Sequence, residues 1–144
     1  MQTDKQTSVK RVMVFGVFDR LHPGHCSFLE QAATFGEELI VVVARDETVK
    51  QLKQKMPYQA EHERMYAVEQ HPAVSRSILG DALLGAYEVI KNHKPDVICL
   101  GYDQKWLMQD LNNRIERGEI ASVERIVMSS YEPYRFHTSL LTDV

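Results

Sequence analysis

His22 and His25 stand three residues apart, separated by Pro23 and Gly24, and Asp19 lies three residues before the pair, in the stretch 14–32 (VFGVFDRLHPGHCSFLEQA). If Gly24 opens a helix, both imidazoles face one pocket. The N–H groups of a helix start favour anionic oxygens there. Paired imidazoles aimed at a phosphate donate hydrogen bonds to oxygens that gain charge as phosphorus becomes five-coordinate. Lys53 and Lys55, in a loop just before Pro57, are suited to closing over and neutralising a polyphosphate, whereas Lys50 reads as part of a solvated helix face. Arg64 reaches the same anion or else pairs with Glu61 or a neighbouring carboxylate. Asp19 either assists a divalent cation or braces the corner by accepting backbone N–H groups. Asp19, His22 and His25 also make a sensible zinc set, but one without a clear fourth ligand.

The elements that must hold these residues follow from the hydrophobic pattern. Residues 11–16 (RVMVFG) read as a buried strand, and residues 25–35 as a helix stopped by Gly36. Residues 39–44 (LIVVVA) are apolar on both faces, which predicts a parallel sheet covered on both sides. A short helix and a loop follow over 45–60, then a helix over 61–69 and a short strand over 74–79. Leu83, Ala86, Tyr87 and Ile90 predict a helix over 82–92; a central strand follows at 96–100, a helix at 106–117 and an exposed last strand at 123–128. Thr138 or Ser139 caps a very short final helix. The alternation predicts an α/β fold, a Rossmann-like open parallel sheet of about five strands with helices on both faces. Residues 1–10 read as a flexible N-terminus and 11–144 as a single domain. In such sheets ligands bind beyond the carboxyl ends of the strands. Three polar clusters fall there: Asp19/His22/His25, Arg45/Asp46 and Asp103/Gln104.

The composition narrows the partners. A formal charge of −3 gives no global pull toward nucleic acid or an acidic membrane, and no stretch has the length of a transmembrane span. The N-terminal MQTDKQTSVK lacks a secretory core, so the expectation is a soluble, cytoplasmic protein. Cys26 and Cys99 form no CxxC and read as buried small hydrophobes. GxGxxG and GxxxxGK[ST] are both absent, which excludes the familiar dinucleotide and P-loop solutions to phosphate binding.

Residues 16–25 (GVFDRLHPGH) resemble the GxFDxxHxGH signature of the cytidylyltransferase-like nucleotidyltransferases, and the likeness extends from about residue 10 to 141. It implies that Gly16, Val17, Phe18, Asp19 and Gly24 shape a nucleotide site and that His22 and His25 contact the phosphates, with Lys53 as a further catalytic residue and Lys55 and Arg64 nearby. The segments 44–49 (ARDETV) and 53–57, together with 95–104 (PDVICLGYDQ), are similar to the small archaeal-type FAD synthases. The same resemblance places Gly101, Tyr102, Asp103 and Gln104 beside the base and ribose, and Phe136, His137, Thr138 and Ser139 at the triphosphate. Val74-Ser75 stands where the family usually carries Val-Asp, the cysteines usual before the closing motif are absent, and Leu140 or Leu141 replaces a lysine there.

The implied reaction is in-line attack by an acceptor's phosphate oxygen on the α-phosphorus of a nucleoside triphosphate, with release of pyrophosphate. A phosphate monoester, with a second pKa of about 6, is already anionic near neutral pH and needs no general base. Mg²⁺ or another divalent cation is implied, held mainly by the nucleotide. The acceptor implied is FMN with ATP, the alternative being glycerol-3-phosphate or a phospho-amino-alcohol with CTP. A flavin needs a wide apolar slot, for which Tyr102, Trp106, Tyr131, Tyr134 and Phe136 offer aromatic surface. A homodimer is implied by the family and by the exposed last strand.

Overall fold

The computed structural model describes residues 9–129. Five strands, β1 (Arg11–Gly16), β2 (Glu38–Val43), β3 (Arg76–Leu79), β4 (Val97–Leu100) and β5 (Glu124–Val127), form one sheet in the order β3-β2-β1-β4-β5. Every pairing is parallel. The helices are α1 (Pro23–Ala33), α2 (Asp46–Lys53), α3 (Glu61–Glu69), α4 (Glu88–His93) and α5 (Lys105–Glu116). The expected Rossmann-like architecture is what the chain forms.

Strand side chains alternate between the two faces of a sheet, and here both sets are apolar. Val12, Val14, Leu39, Val41, Val97 and Cys99 pack with Phe28 and Leu29 of α1 and Val68 of α3. Met13, Ile40, Val42, Ile98 and Leu100 turn the other way and pack with Val89 and Ile90 of α4 and Leu111 of α5. Buried Cys99 is part of the first layer, and burial, assisted by the charge of Glu124, pushes its thiol up to about 11. Cys26 is only half-buried; its thiol is also raised, by desolvation and then by Glu30.

β1 and β4 pair only through Val12–Val97 and Met13–Ile98. Beyond that point they diverge, and the chain's crossovers reverse direction between them. This is the switch point at which open α/β sheets leave a crevice.

The helix expected over 82–92 is a correction. Only Glu88–His93 is helical; residues 80–87 form an irregular loop. Gly85 has φ +86° and Tyr87 φ +53°, both incompatible with a right-handed helix. The Asp81 carboxylate accepts from the Glu88 N–H, so the helix begins there. The apolar spacing that suggested a longer helix belongs instead to a cavity wall.

Candidate active site

α1 begins with a cap built from the two histidines. His22, in extended conformation, is the N-cap; its Nδ1 accepts from the His25 N–H at 3.3 Å. His25 Nδ1 in turn accepts from the His22 N–H at 3.2 Å. This is the reciprocal capping box usually made by Ser or Thr with Glu, here made by His-Pro-Gly-His. The arrangement stacks the rings, with centroids 3.6 Å apart and planes inclined by 15°. Because each Nδ1 is an acceptor, each neutral ring carries its proton on Nε2. Two N–H donors are thus oriented as a pair by the backbone that displays them.

The strand-to-helix corner is secured from behind. Phe18 and Arg20 both have positive φ, +54° and +51°, a conformation that persists only where surrounding contacts enforce it. Phe18 is fully buried, edge-on to His25 at 5.5 Å and beside Phe28, so its side chain supports the histidines. Asp19 accepts from the N–H groups of Tyr58 (2.7 Å) and Gln59 (2.9 Å), the bracing role. The Gln59 side chain accepts from the Arg20 N–H, and the Arg20 guanidinium lies 3.7 Å from the centroid of the Tyr58 ring.

Arg64 is a second correction. It is 0% exposed, donating to the carbonyls of Val17 (2.8 Å) and Gln59 (2.9 Å) and to Asp46 Oδ1 (2.7 Å). Of the two partners expected from sequence, an anionic ligand or a neighbouring carboxylate, it has the carboxylate, on α2. Its work is to join the end of β1, the start of α2 and the loop before α3. Asp46 also receives order from α3, its N–H donating to Glu61 at 2.7 Å.

Gln104 bridges the diverging strands: its amide nitrogen donates to the Phe15 carbonyl at 2.9 Å and its oxygen accepts from the Gly101 N–H at 2.8 Å. It therefore braces the switch point. Gly101 is packed against Asp103, whose Oδ1 would lie 3.0 Å from an added Cβ.

Two cavities open at this edge. One, of about 520 Å³, is lined by Gly16, Val17, Arg45, Lys53, Asp103 and Trp106, among others, with Leu52, Leu83, Leu84 and Tyr87 completing an apolar rim. Trp106 is 56% exposed, and Leu52, Leu83 and Leu84 are exposed as well. The other, of about 480 Å³, lies along α5 beside Gly101, Tyr102 and Gln104. Lys53 ends α2 on the first cavity; Lys55, exposed two residues on, does not line it. Gly24 is buried in the first turn of α1. Phe136, His137, Thr138 and Ser139 lie outside the described residues, as do Tyr131 and Tyr134 and part of the expected N-terminal tail. Asp19, His22 and His25 do not form a zinc set: among the described residues no three His, Cys, Asp or Glu side chains gather as a cation site.

Sequence reasoning placed Arg45 at the ligand edge without a role, and missed Leu83 and Leu84 as cavity residues. Arg45 carried a signal, since it directly follows β2; its Nε donates to the Gly80 carbonyl at 2.7 Å, tying the ends of β2 and β3. Gly85, inside the span expected to be helical, and Gly80 just before it were the turn signals.

A helix start with two histidine donors at the carboxyl edge of this sheet suits a nucleotidyltransferase, an enzyme that moves a nucleotidyl group between phosphates, and the family and relatives place the chain in that class. The chain belongs to the cytidylyltransferase-like family, whose model matches residues 13–142. It is 44% identical over 117 residues to the FAD synthase of Aciduliprofundum boonei, covering 81% of this chain and 77% of that one. It is 37% identical over 127 residues to the FAD synthase of Methanocella arvoryzae, covering 88% and 89%. A crystal structure from Thermoplasma volcanium, described as a lipopolysaccharide core biosynthesis protein, matches with a TM-score of 0.77 at 37% identity over 87% of this chain and all of that one. Among the described residues no helix is long and apolar enough to cross a membrane.

Proposed function

We propose that this chain is an FMN adenylyltransferase, joining ATP and FMN to give FAD and pyrophosphate. The observation that carries the acceptor is the 520 Å³ cavity, whose exposed Leu52, Leu83, Leu84 and Trp106 offer a flat ring system an apolar surface that a glycerol chain would not use. Its volume falls within the range of about 300–1,000 Å³ usual for small-molecule sites. The FAD synthase relatives support the same acceptor and ATP as donor.

In this reading the flavin occupies the slot and its phosphate points toward Gly16 and Val17, the residues between slot and histidine pair. Lys53 and Arg45, on the slot's lining, attract the phosphate-bearing end. The nucleoside lies by Gly101 and Tyr102 in the second cavity, its α-phosphate meeting the start of α1. A phosphate oxygen of FMN forms the new bond to the α-phosphorus; the bond from that phosphorus to the bridging oxygen breaks, and pyrophosphate departs with the electron pair. The Nε2–H groups of His22 and His25 donate to the oxygens that gain charge. Catalysis is positioning plus charge stabilisation, because the monoester arrives anionic. The Mg²⁺ implied by the class would neutralise phosphate charge when bound. With Asp19 committed to Tyr58 and Gln59, the donor set fits an ion carried chiefly by the nucleotide phosphates.

The test is an acceptor-by-nucleotide matrix read by pyrophosphate release in Mg²⁺, with FMN and glycerol-3-phosphate each against ATP and CTP. The highest kcat/KM is expected for FMN with ATP. Faster turnover of glycerol-3-phosphate with CTP would overturn the assignment.

A further inference from the structure

The slot's outer wall, residues 80–87, is held at its ends by the Gly80 N–H to Val43 carbonyl bond and the Asp81 carboxylate at the Glu88 N–H, with one turn bond from the Ala86 N–H to the Leu83 carbonyl between them. Leu83 is largely exposed, Leu84 partly so, and Gly85 takes φ +86°. The middle of the wall is fixed to α5. Arg114 Nη1 donates to the Gly85 carbonyl at 2.7 Å, and its guanidinium lies 5.6 Å from the Tyr87 ring centroid. The Tyr87 hydroxyl donates to Asp110 at 2.6 Å, and Asp110 in turn pairs with Arg114 at 3.6 Å. The same Nη1 also donates to Glu119 at 3.3 Å.

Residues 107, 110 and 114 share one face of a helix by their i, i+3, i+7 spacing. That face of α5 therefore supplies both the inner lining, through Leu107 beside Trp106, and the clamp on the opposite wall, through Asp110 and Arg114. The slot's width is the distance between two parts of the chain that α5 holds together. Arg114 itself does not line the cavity.

We infer that Arg114 is a positioning residue for the acceptor: by holding the Gly85 carbonyl and the Tyr87–Asp110 pair, it sets the slot to the thickness of a flat apolar ring system and so selects such acceptors over small polar ones. This rests on the flavin reading above. A group that pre-forms a binding wall acts on acceptor affinity and leaves the reacting phosphates alone, since its effect is to remove the cost of ordering the loop on binding.

Direct FMN binding, followed by flavin fluorescence, tests it alongside steady-state kinetics. In Arg114→Ala the FMN dissociation constant is expected to rise about tenfold, with KM for ATP and kcat at saturating FMN within about twofold of the parent. Arg114→Lys, which keeps a donor for Gly85, is expected to recover part of the loss. Gly85→Ala disturbs the same contact from the other side: an added Cβ would stand 2.7 Å from Arg114 Nη2. The Arg114→Ala/Gly85→Ala double variant is therefore expected to bind FMN no more than about twofold worse than the weaker single variant, because coupled residues are not additive. Should Arg114→Ala fail to fold, Arg114→Gln, which keeps the bulk but not the charge, decides: FMN affinity unchanged from the parent overturns the clamp. Parent-like FMN affinity in the folded variants overturns the clamp and leaves the acceptor assignment standing. Failure of the parent chain itself to bind FMN overturns the acceptor assignment, and the clamp with it.

Discussion

The corner at residues 16–25 and the loop at 80–87 both leave the carboxyl end of a parallel strand, both contain non-glycine residues with positive φ, and both border the same cavity. They differ in what sets their shape. The histidine corner takes its essential geometry from bonds between neighbours, His22 and His25 each capping the other's backbone across three residues. The loop has local bonds at Asp81 and Leu83, but the position of Gly85 and Tyr87 is set by Arg114 and Asp110, more than twenty residues away in sequence. A short-range device leaves a readable pattern; a long-range one leaves only the apolar residues it positions.

The corner also has remote anchors, and removing one tests how self-sufficient it is. Arg64→Ala deletes a buried cation whose partner Asp46 is a quarter exposed, so a loss of about 3 kcal/mol is expected, at the lower end for broken buried pairs. Chemical denaturation measures it. A loss under about 1 kcal/mol would mean that the local capping bonds hold the corner unaided.

His22→Ser separates cap from chemistry. Serine accepts from the His25 N–H as imidazole does, so stability should stay within about 1 kcal/mol. Turnover is expected to fall at least ~100-fold, because one donor to the charged oxygens is gone. Near-parental turnover would reduce His22 to a cap. Asp19→Asn keeps the shape but leaves one acceptor for two N–H groups, so one charge-assisted bond is lost and an amide NH2 faces a backbone N–H, a cost of about 2 kcal/mol in stability. The half-saturating Mg²⁺ concentration should not move; a marked rise would reassign Asp19 from brace to cation ligand.

The smallest effect belongs to the loop. Tyr87→Phe removes the bond to Asp110, worth about 1 kcal/mol. Burial, that bond and the Asp110 charge raise the Tyr87 hydroxyl above its ordinary range, against a smaller lowering by Arg114. The folded state therefore prefers the neutral phenol. Its stabilisation is complete below the ordinary tyrosine pKa of about 10 and is lost as pH rises beyond it. Stability of the parent should fall more steeply above about pH 10 than that of Tyr87→Phe, while Cys99 gives both chains the same alkaline slope. Parallel curves would show that the loop is not held through Tyr87.

Much of the fold was legible. RVMVFG, LIVVVA and DVICL are apolar on both faces, a pattern that only a doubly covered parallel sheet accommodates, and these segments form β1, β2 and β4. The helix after β1 begins at Pro23, two residues earlier than its apolar spacing suggests, because the histidines themselves cap it. In the site, the histidine spacing, Lys53 and Trp106 were visible. Arg64 was not readable as a keystone, since an arginine's partners depend on which elements fold over it.

Sequence alone determined the alternation of elements, the parallel sheet and the paired donors at the first helix, because each follows from periodicity or from bonds spanning a few residues. Tertiary structure decided that Arg64 and Asp19 brace where they were candidates to bind, and that residues 82–87 wall a slot where a helix was expected. Those outcomes depend on distant groups arriving in hydrogen-bonding range, and no local pattern encodes a partner that the fold alone brings near.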